Sequence, residues 1–428
     1  MRAYPNHMNI QRLETSRLFN RFGFGPRPGE YAQALKDGVA PTRTRLLTVP
    51  AVDAGAATVI EPEITDLGPR PKPNTKEIVP FSIAMRFQTQ QMSMWWLDRM
   101  AASDHGLTEK MTWFWHGHWA TSIQKLNYPL PMFKQNNTFR ANCLGNFATM
   151  TKAMLNDGAL QFWLDGQENT VKAPNENLGR ELMELFTLGV GRYTEDDVKS
   201  ISRVLTGYQV ARSSGVVTIV QNRRDKNPVT LLGTTTTFTG DSLADFLVAR
   251  DDSAQFIAER LWYRFVSSTE DMPANFSAKQ AFASRDISAA VTAMANDPAM
   301  RDEKYAMVKS PIEWFISACR ALELTPSQLK TPNQLLNYLD KLGQVPFNPP
   351  NVGGWPAGEA WLSSATAQYR IAFATWLIKQ SDLRVLSEMR PALRTTKSAD
   401  WLGIPEWSTR TQSALRTAIN EPAQFALL

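Results

Sequence analysis

NENLGRELMELFTLGVGRYTEDDVKSISRVLTGY, residues 175–208, reads as two helices joined by a glycine turn. In its first half Leu178, Leu182 and Leu185 recur at helical spacing, and Met183 and Phe186 widen the apolar sector. The spacing predicts a helix over 176–188. Gly189 and Gly191 follow it and suit a left-handed C-cap. Thr194 precedes Glu195, Asp196 and Asp197, which gives a second helix, over 195–208, an N-cap and an acidic first turn. Asn177, Arg180, Glu181 and Glu184 fall three and four residues apart and share one face of the first helix. Facing water, that stripe is an ordinary amphipathic face. Facing a cavity, it is a site.

The same period runs through most of the chain. Residues 82–102, around IAMRFQTQQMSMWWLDRM, hold no Gly or Pro and predict a buried helix whose methionines fill core. Further helices are predicted over 107–118, 134–156, 252–267, 306–322, 332–343 and 364–380, with Thr108-Glu109 as a start signal for the first of these. Asp197 reads as a helix-start residue. Arg203, two turns on, is placed to pair with a carboxylate of the preceding helix. Three stretches break the pattern. Residues 50–80 carry Pro62, Pro69, Pro71, Pro73 and Pro80 and predict an irregular excursion. Residues 208–240, with GVVTIV and PVTLLGTTTTF around Asn222–Asn227, predict a β-hairpin. Residues 345–358, VPFNPPNVGGWPAG, hold four prolines and three glycines and predict an ordered loop of the kind that often carries function. The expected fold is mainly α: one large multi-helix domain over 1–428 with a small β-hairpin and long irregular loops.

Composition narrows the classes. With 46 Lys and Arg against 41 Asp and Glu, the chain carries +5, and its basic residues are scattered rather than striped. That excludes a nucleic-acid binder and leaves a mild attraction for an acidic or glycan polymer. The thirteen tryptophans are read as core filling. Cys143 and Cys319 sit in apolar, helix-like stretches and are expected as buried free thiols; there is no CxxC. No run of 18 apolar residues occurs, so no membrane span is expected. The N-terminal stretch MRAYPNHMNIQRLE has no apolar signal region, which gives a cytoplasmic reading, although a precursor trimmed of an export signal reads the same.

Two of the four histidines lie in WFWHGHWATS, residues 113–122. His116 and His118 flank Gly117. In a regular helix positions i and i+2 diverge by about 200°, so the pair serves one centre only if Gly117 loosens the helix end. Converging on the E-x-x-E pair Glu181 and Glu184, they suit Zn2+, Mn2+ or Fe2+. The alternative is two hydrogen-bonded imidazoles in an indole-rich core. A metal-free site uses the same residues: Glu181 or Glu184 as general acid, His118 as general base, Tyr193 and Arg180 steadying developing charge on a glycan. Trp355 and Trp361 line a cleft mouth or pack as core. His7 and His105 stand alone and receive no role. GFGPRPG, 23–29, reads as a turn, and no GxGxxG after a strand, P-loop, GxSxG or HExxH is present.

One set of segments runs across most of the chain: FNRFGFGPRPGE (19–30), MTWFWHGHWATS (111–122), the 175–208 block, LLG (231–233), FIAERLWYRFV (256–266), KSPIEWFISACRAL (309–322) and FNPPNVGGWPAGEAWLSS (347–364). Together they resemble the bacterial DUF1800 family over about residues 15–380. The resemblance implies a shared fold and little function. Many relatives look exported, and some are encoded beside a family resembling sulfatases and alkaline phosphatases. Relatives often carry a His-Asp pair in the hairpin where this chain has Arg224-Asp225, so no metal or catalytic role carries over to that position. Three functions stand open: a metal-dependent hydrolase on His116, His118, Glu181 and Glu184; a metal-free glycan-active hydrolase or lyase on the carboxylates, His118 and Tyr193; and a non-catalytic scaffold that binds a partner.

Overall fold

The helical period is realised in a computed structural model that describes residues 9–427. His7 and most of the N-terminal stretch read for an export signal lie outside the described residues. Helix accounts for 60% of the chain, and the described residues contain only two small two-stranded antiparallel sheets. None of the described helices is long and apolar enough to cross a membrane.

The elements that position the candidate site are α1 (Ile10–Arg21), α2 (Ile78–Ala102), α3 (Leu107–His118), α4 (Pro129–Asn142), α5 (Asn177–Glu181), α6 (Glu195–Val204), α7 (Asp251–Phe265) and α8 (Pro311–Ala321). α2 begins four residues before its expected start, with Pro80 tolerated in its first turn. The expected 134–156 helix is two, α4 and Phe147–Leu155, because Asn146 caps a new start by accepting the Ala148 N–H.

α3 is the axis of the fold. Every residue from Glu109 to His118 is buried. Met111, Phe114 and Trp115 belong to one large apolar cluster, with Phe139, Phe186 and Phe265. Trp113 belongs to a second, with Trp96, Phe347 and Trp355. Burying this helix means burying Glu109, which is far more than a start residue. Its carboxylate takes Arg140 through Nε and Nη2, Arg99 Nε and Trp96 Nε1, all at 2.9 Å. Burial alone would raise its pKa, but Arg140 and Arg99 outweigh it and hold the carboxyl below its ordinary value.

The 208–240 region departs from expectation. Its two apolar runs do not pair with each other; each pairs with its neighbour. β1 (Tyr208–Ala211) pairs with β2 (Val216–Ile219), and β3 (Val229–Leu231) with β4 (Thr234–Thr236). Leu232 and Gly233, both at positive φ, make the two-residue turn that closes β3 on β4. Arg203 binds Asp225 in the connecting segment at 2.7 Å, not a carboxylate of the preceding helix. Asp197 is the expected helix-start residue; it forms a capping box with Thr194 and also accepts the Leu232 N–H at 2.6 Å. Residues 345–357 are irregular, as their prolines require. Cys143 and Cys319 are buried free thiols.

Candidate functional site

α3 stays regular through Gly117, so His116 and His118 diverge instead of converging. His116 is surrounded by Trp96, Trp113, Phe347 and Trp355. Its Nε2 accepts the Phe347 N–H at 3.1 Å. His118 lies among Phe114, Trp115, Phe186 and Phe256. Its Nε2 sits 2.9 Å from the Phe186 carbonyl and donates to it. That carbonyl belongs to a last helical turn with no acceptor role inside the helix, so the imidazole acts as a cap. The Nδ1 of His118 is buried and has no partner among the described residues. Burial pushes both imidazoles down to about 3; for His118 the charges of Arg260 and Arg264 add to it.

The carboxylate helix is not one α-helix over 176–188. α5 ends at Glu181, and Leu182–Thr187 is π-helical. The Leu188 N–H reaches back to the Met183 carbonyl at 2.8 Å, and Thr187 Oγ1 donates to Leu182 at 2.6 Å. Such widened turns recur at functional sites. Glu181 and Glu184 are half-buried, and the Tyr193 hydroxyl donates to Glu184 Oε2. Partial burial, then the Glu184 charge, raises the Glu181 pKa. Burial and the bond to Glu184 push Tyr193 up to about 12, so it remains a hydroxyl donor. Arg180 is engaged elsewhere, forked on Glu195 at 2.8 Å with Glu176 behind it.

The structure thus joins Glu181, Glu184 and Tyr193, leaves Arg180 at their edge, and sets the two histidines on opposite sides of α3. Among the described residues no group of three or more His, Cys, Asp or Glu side chains stands together as a metal site. The donor set gives the reason. The His116 lone pair is spent on a backbone N–H, and the charged groups felt by His118 are Arg260 and Arg264. A divalent cation shared by all four residues does not fit this arrangement.

A family model described as a protein of unknown function, DUF1800, matches residues 17–426. The chain belongs to the DUF1800 family. The match carries the family past the 15–380 span of the resemblance, through the helices Pro391–Leu402 and Thr409–Thr417. No curated protein and no solved structure matches this DUF1800 chain.

Two residues of this DUF1800 chain that were not among the expected site residues border an open cleft beside the loop that packs against α3. Arg260 and Arg264 lie one turn apart on α7 and face the 350–356 loop across a cavity of about 380 Å3. The signal was present in FIAERLWYRFV: two arginines at i and i+4 in an apolar helix, with Glu259, the nearest acid, taken by Arg192. Trp355 stacks on Trp113, with centroids 4.9 Å apart, so the loop packs against the histidine helix.

Proposed function

We propose that the chain is a metal-free acid–base enzyme acting on a glycan, with Glu184 as general base, Tyr193 as its hydrogen-bond partner and Glu181 as general acid. The observation that carries this reading is the Tyr193–Glu184 contact, set beside Glu181 on a helix that widens into π geometry. A carboxyl held toward its protonated form beside a second carboxylate supplies an acid and a base in one site. Glu181 is the one that burial and a neighbouring charge favour in the protonated form. Tyr193 donates to Glu184 and orients it, while Glu181 passes its proton to the leaving oxygen as Glu184 takes one from the substrate. His118 stays outside this chemistry because its N–H is committed to the Phe186 carbonyl. The metal-dependent hydrolase has weaker support, since its four ligands do not converge.

A non-catalytic partner-binding scaffold is the second reading. It is favoured by the structural duties of Arg180, His116 and His118. The experiment is a screen of acidic and neutral polysaccharides, followed by reducing-end release and the absorbance of unsaturated uronate. Turnover insensitive to chelator, and reduced roughly 10²–10⁴-fold in Glu184→Gln with the fold intact, is expected. Turnover abolished by chelator would restore the metal reading. No turnover on any glycan would leave the scaffold.

A further inference from the structure

The surplus of unpaired donors between α7 and the 350–356 loop has no explanation in the acid–base site. Arg260 makes no hydrogen bond and no ion pair among the described residues, and its buried Nε has no acceptor. Arg264 donates to the carbonyls of Trp355 and, at 3.0 Å, Pro356, so it anchors the loop without meeting a carboxylate. Glu313, the acid that Arg264 feels, is already ion-paired to Lys110. The indole N–H of Trp355 is buried without an acceptor. Asn351 spends its acceptors on the loop, its Oδ1 on Gly353 N–H and its carbonyl on Gly354 N–H. Its side-chain NH2 has no partner among the described residues, and Asn351 and Tyr263 both line the cleft. Two guanidiniums one turn apart repel each other, and burial opposes the charge of both. A half-buried guanidinium without a partner is a ready receptor for something negative.

We infer that this cavity binds an oxyanion carried by a ligand of sugar size, with Arg260 as the free guanidinium that receives it and Arg264 as the fixed one that holds the loop. Three facts set the class. The cavity offers donors and little acceptance, so the ligand supplies acceptors. The guanidinium fork matches the paired oxygens of a carboxylate, sulfate or phosphate. The cleft is open to solvent on one side, and its volume of about 380 Å3 exceeds the need of a bare inorganic ion. The inference is independent of the acid–base site, because it uses neither Glu181, Glu184 nor Tyr193.

The test is calorimetric titration with sodium glucuronate, glucose 6-phosphate and sodium sulfate, against sodium chloride at equal ionic strength, backed by thermal melting of each protein in chloride alone. The wild-type protein should bind at least one oxyanion saturably above the chloride control. The tightest of the three distinguishes a carboxylate sugar from a phosphate or sulfate source. Arg260→Met should weaken that binding roughly ten- to hundredfold, the loss of one or two bonds to a charged group, and Arg260→Lys should keep part of it. In chloride, Arg260→Met should melt at or above the wild-type midpoint, because a half-buried charge without a partner has gone. Glu184→Gln should bind the oxyanion like wild type even where turnover is lost, which separates this site from the acid–base one. Three results overturn the inference: no saturable heat beyond chloride, equal binding by Arg260→Met, or a lower melting midpoint of Arg260→Met in chloride, which makes the guanidinium structural.

Discussion

Gly117, between the two histidines, is the residue whose expected role changes most. It does not bend α3; it leaves its carbonyl open to the loop. A Cβ at Gly117 would meet nothing nearer than Trp355 at 4.0 Å, an ordinary contact. A Cβ at Gly354 would lie 2.1 Å from the Gly117 carbonyl oxygen, and Gly354 holds φ +79°. The glycine requirement therefore sits on the loop, not on the helix. Gly117→Ala should be neutral or stabilising by up to about 1 kcal/mol, since alanine is the better helix former. Gly354→Ala should cost several kcal/mol through left-handed strain and displaced backbone, roughly 2–5 in all. Urea denaturation of the two variants decides it: a larger loss in Gly117→Ala than in Gly354→Ala would return the bending role to Gly117.

Among the elements, α5 and α6 explain why the 175–208 block was so legible. Its apolar spacing, its glycine turn and its Thr194 cap are local signals, and the helices start where those signals stand. The π-helical turn was not legible, because Leu182–Thr187 obeys α period as well as π, and the contacts that accompany it, packing against α7 and the bond of His118 to Phe186 O, are tertiary. The strand pairing failed for a similar reason. Val and Thr content marks strands, but only the turns at Arg212–Gly215 and at Leu232–Gly233 say which strand meets which. Likewise the sequence offered Glu181, Glu184 and Tyr193 as chemistry, and their meeting was testable by pattern since they are neighbours along the chain. The i, i+4 spacing of Arg260 and Arg264 was visible, but that Arg260 lacks a partner and that Arg264 holds the loop are settled only by tertiary contacts. Gly179 gives the element-scale prediction. A Cβ there would stand 2.7 Å from Ile201 Cγ2 and 3.3 Å from the Ser202 nitrogen, so α5 and α6 touch across it. Overpacking of about 1–3 kcal/mol outweighs a helix-propensity gain of about 1 kcal/mol. Gly179→Ala should lower the melting temperature, and a rise would mean that the two helices move apart at no cost.

At the scale of the whole molecule, acid stability is a contest between groups buried in opposite senses. His116 and His118 are held neutral, pushed down to about 3, whereas in the unfolded chain they take a proton near the ordinary 6.5. The unfolded state then binds more protons, so their contribution is complete above about 6.5 and is lost as pH falls toward 3. At pH 5 each imidazole costs about 2 kcal/mol relative to neutral pH. Asp157 works the other way. Burial raises it to about 7, even though it caps a helix through Leu160 N–H and accepts from Gln135. The folded state binds the extra proton, so its stability is lost as pH rises from about 4 to 7. Moving from pH 8 to pH 5 returns about 3 kcal/mol at this site and offsets most of the histidine loss. Asp53, held down to about 2 chiefly by backbone N–H bonds against its burial, acts only below about pH 4 and leaves the window clear. Between pH 8 and 5 the wild-type stability should therefore fall by only about 1 kcal/mol. Asp157→Asn, which keeps the cap, should become more acid-sensitive by about 3 kcal/mol, and His118→Gln should become less so by about 2 kcal/mol. Guanidinium melts of the three proteins at pH 5 and pH 8 measure both differences. Parallel behaviour of Asp157→Asn and wild type would mean that the Asp157 carboxyl is already ionised in the fold.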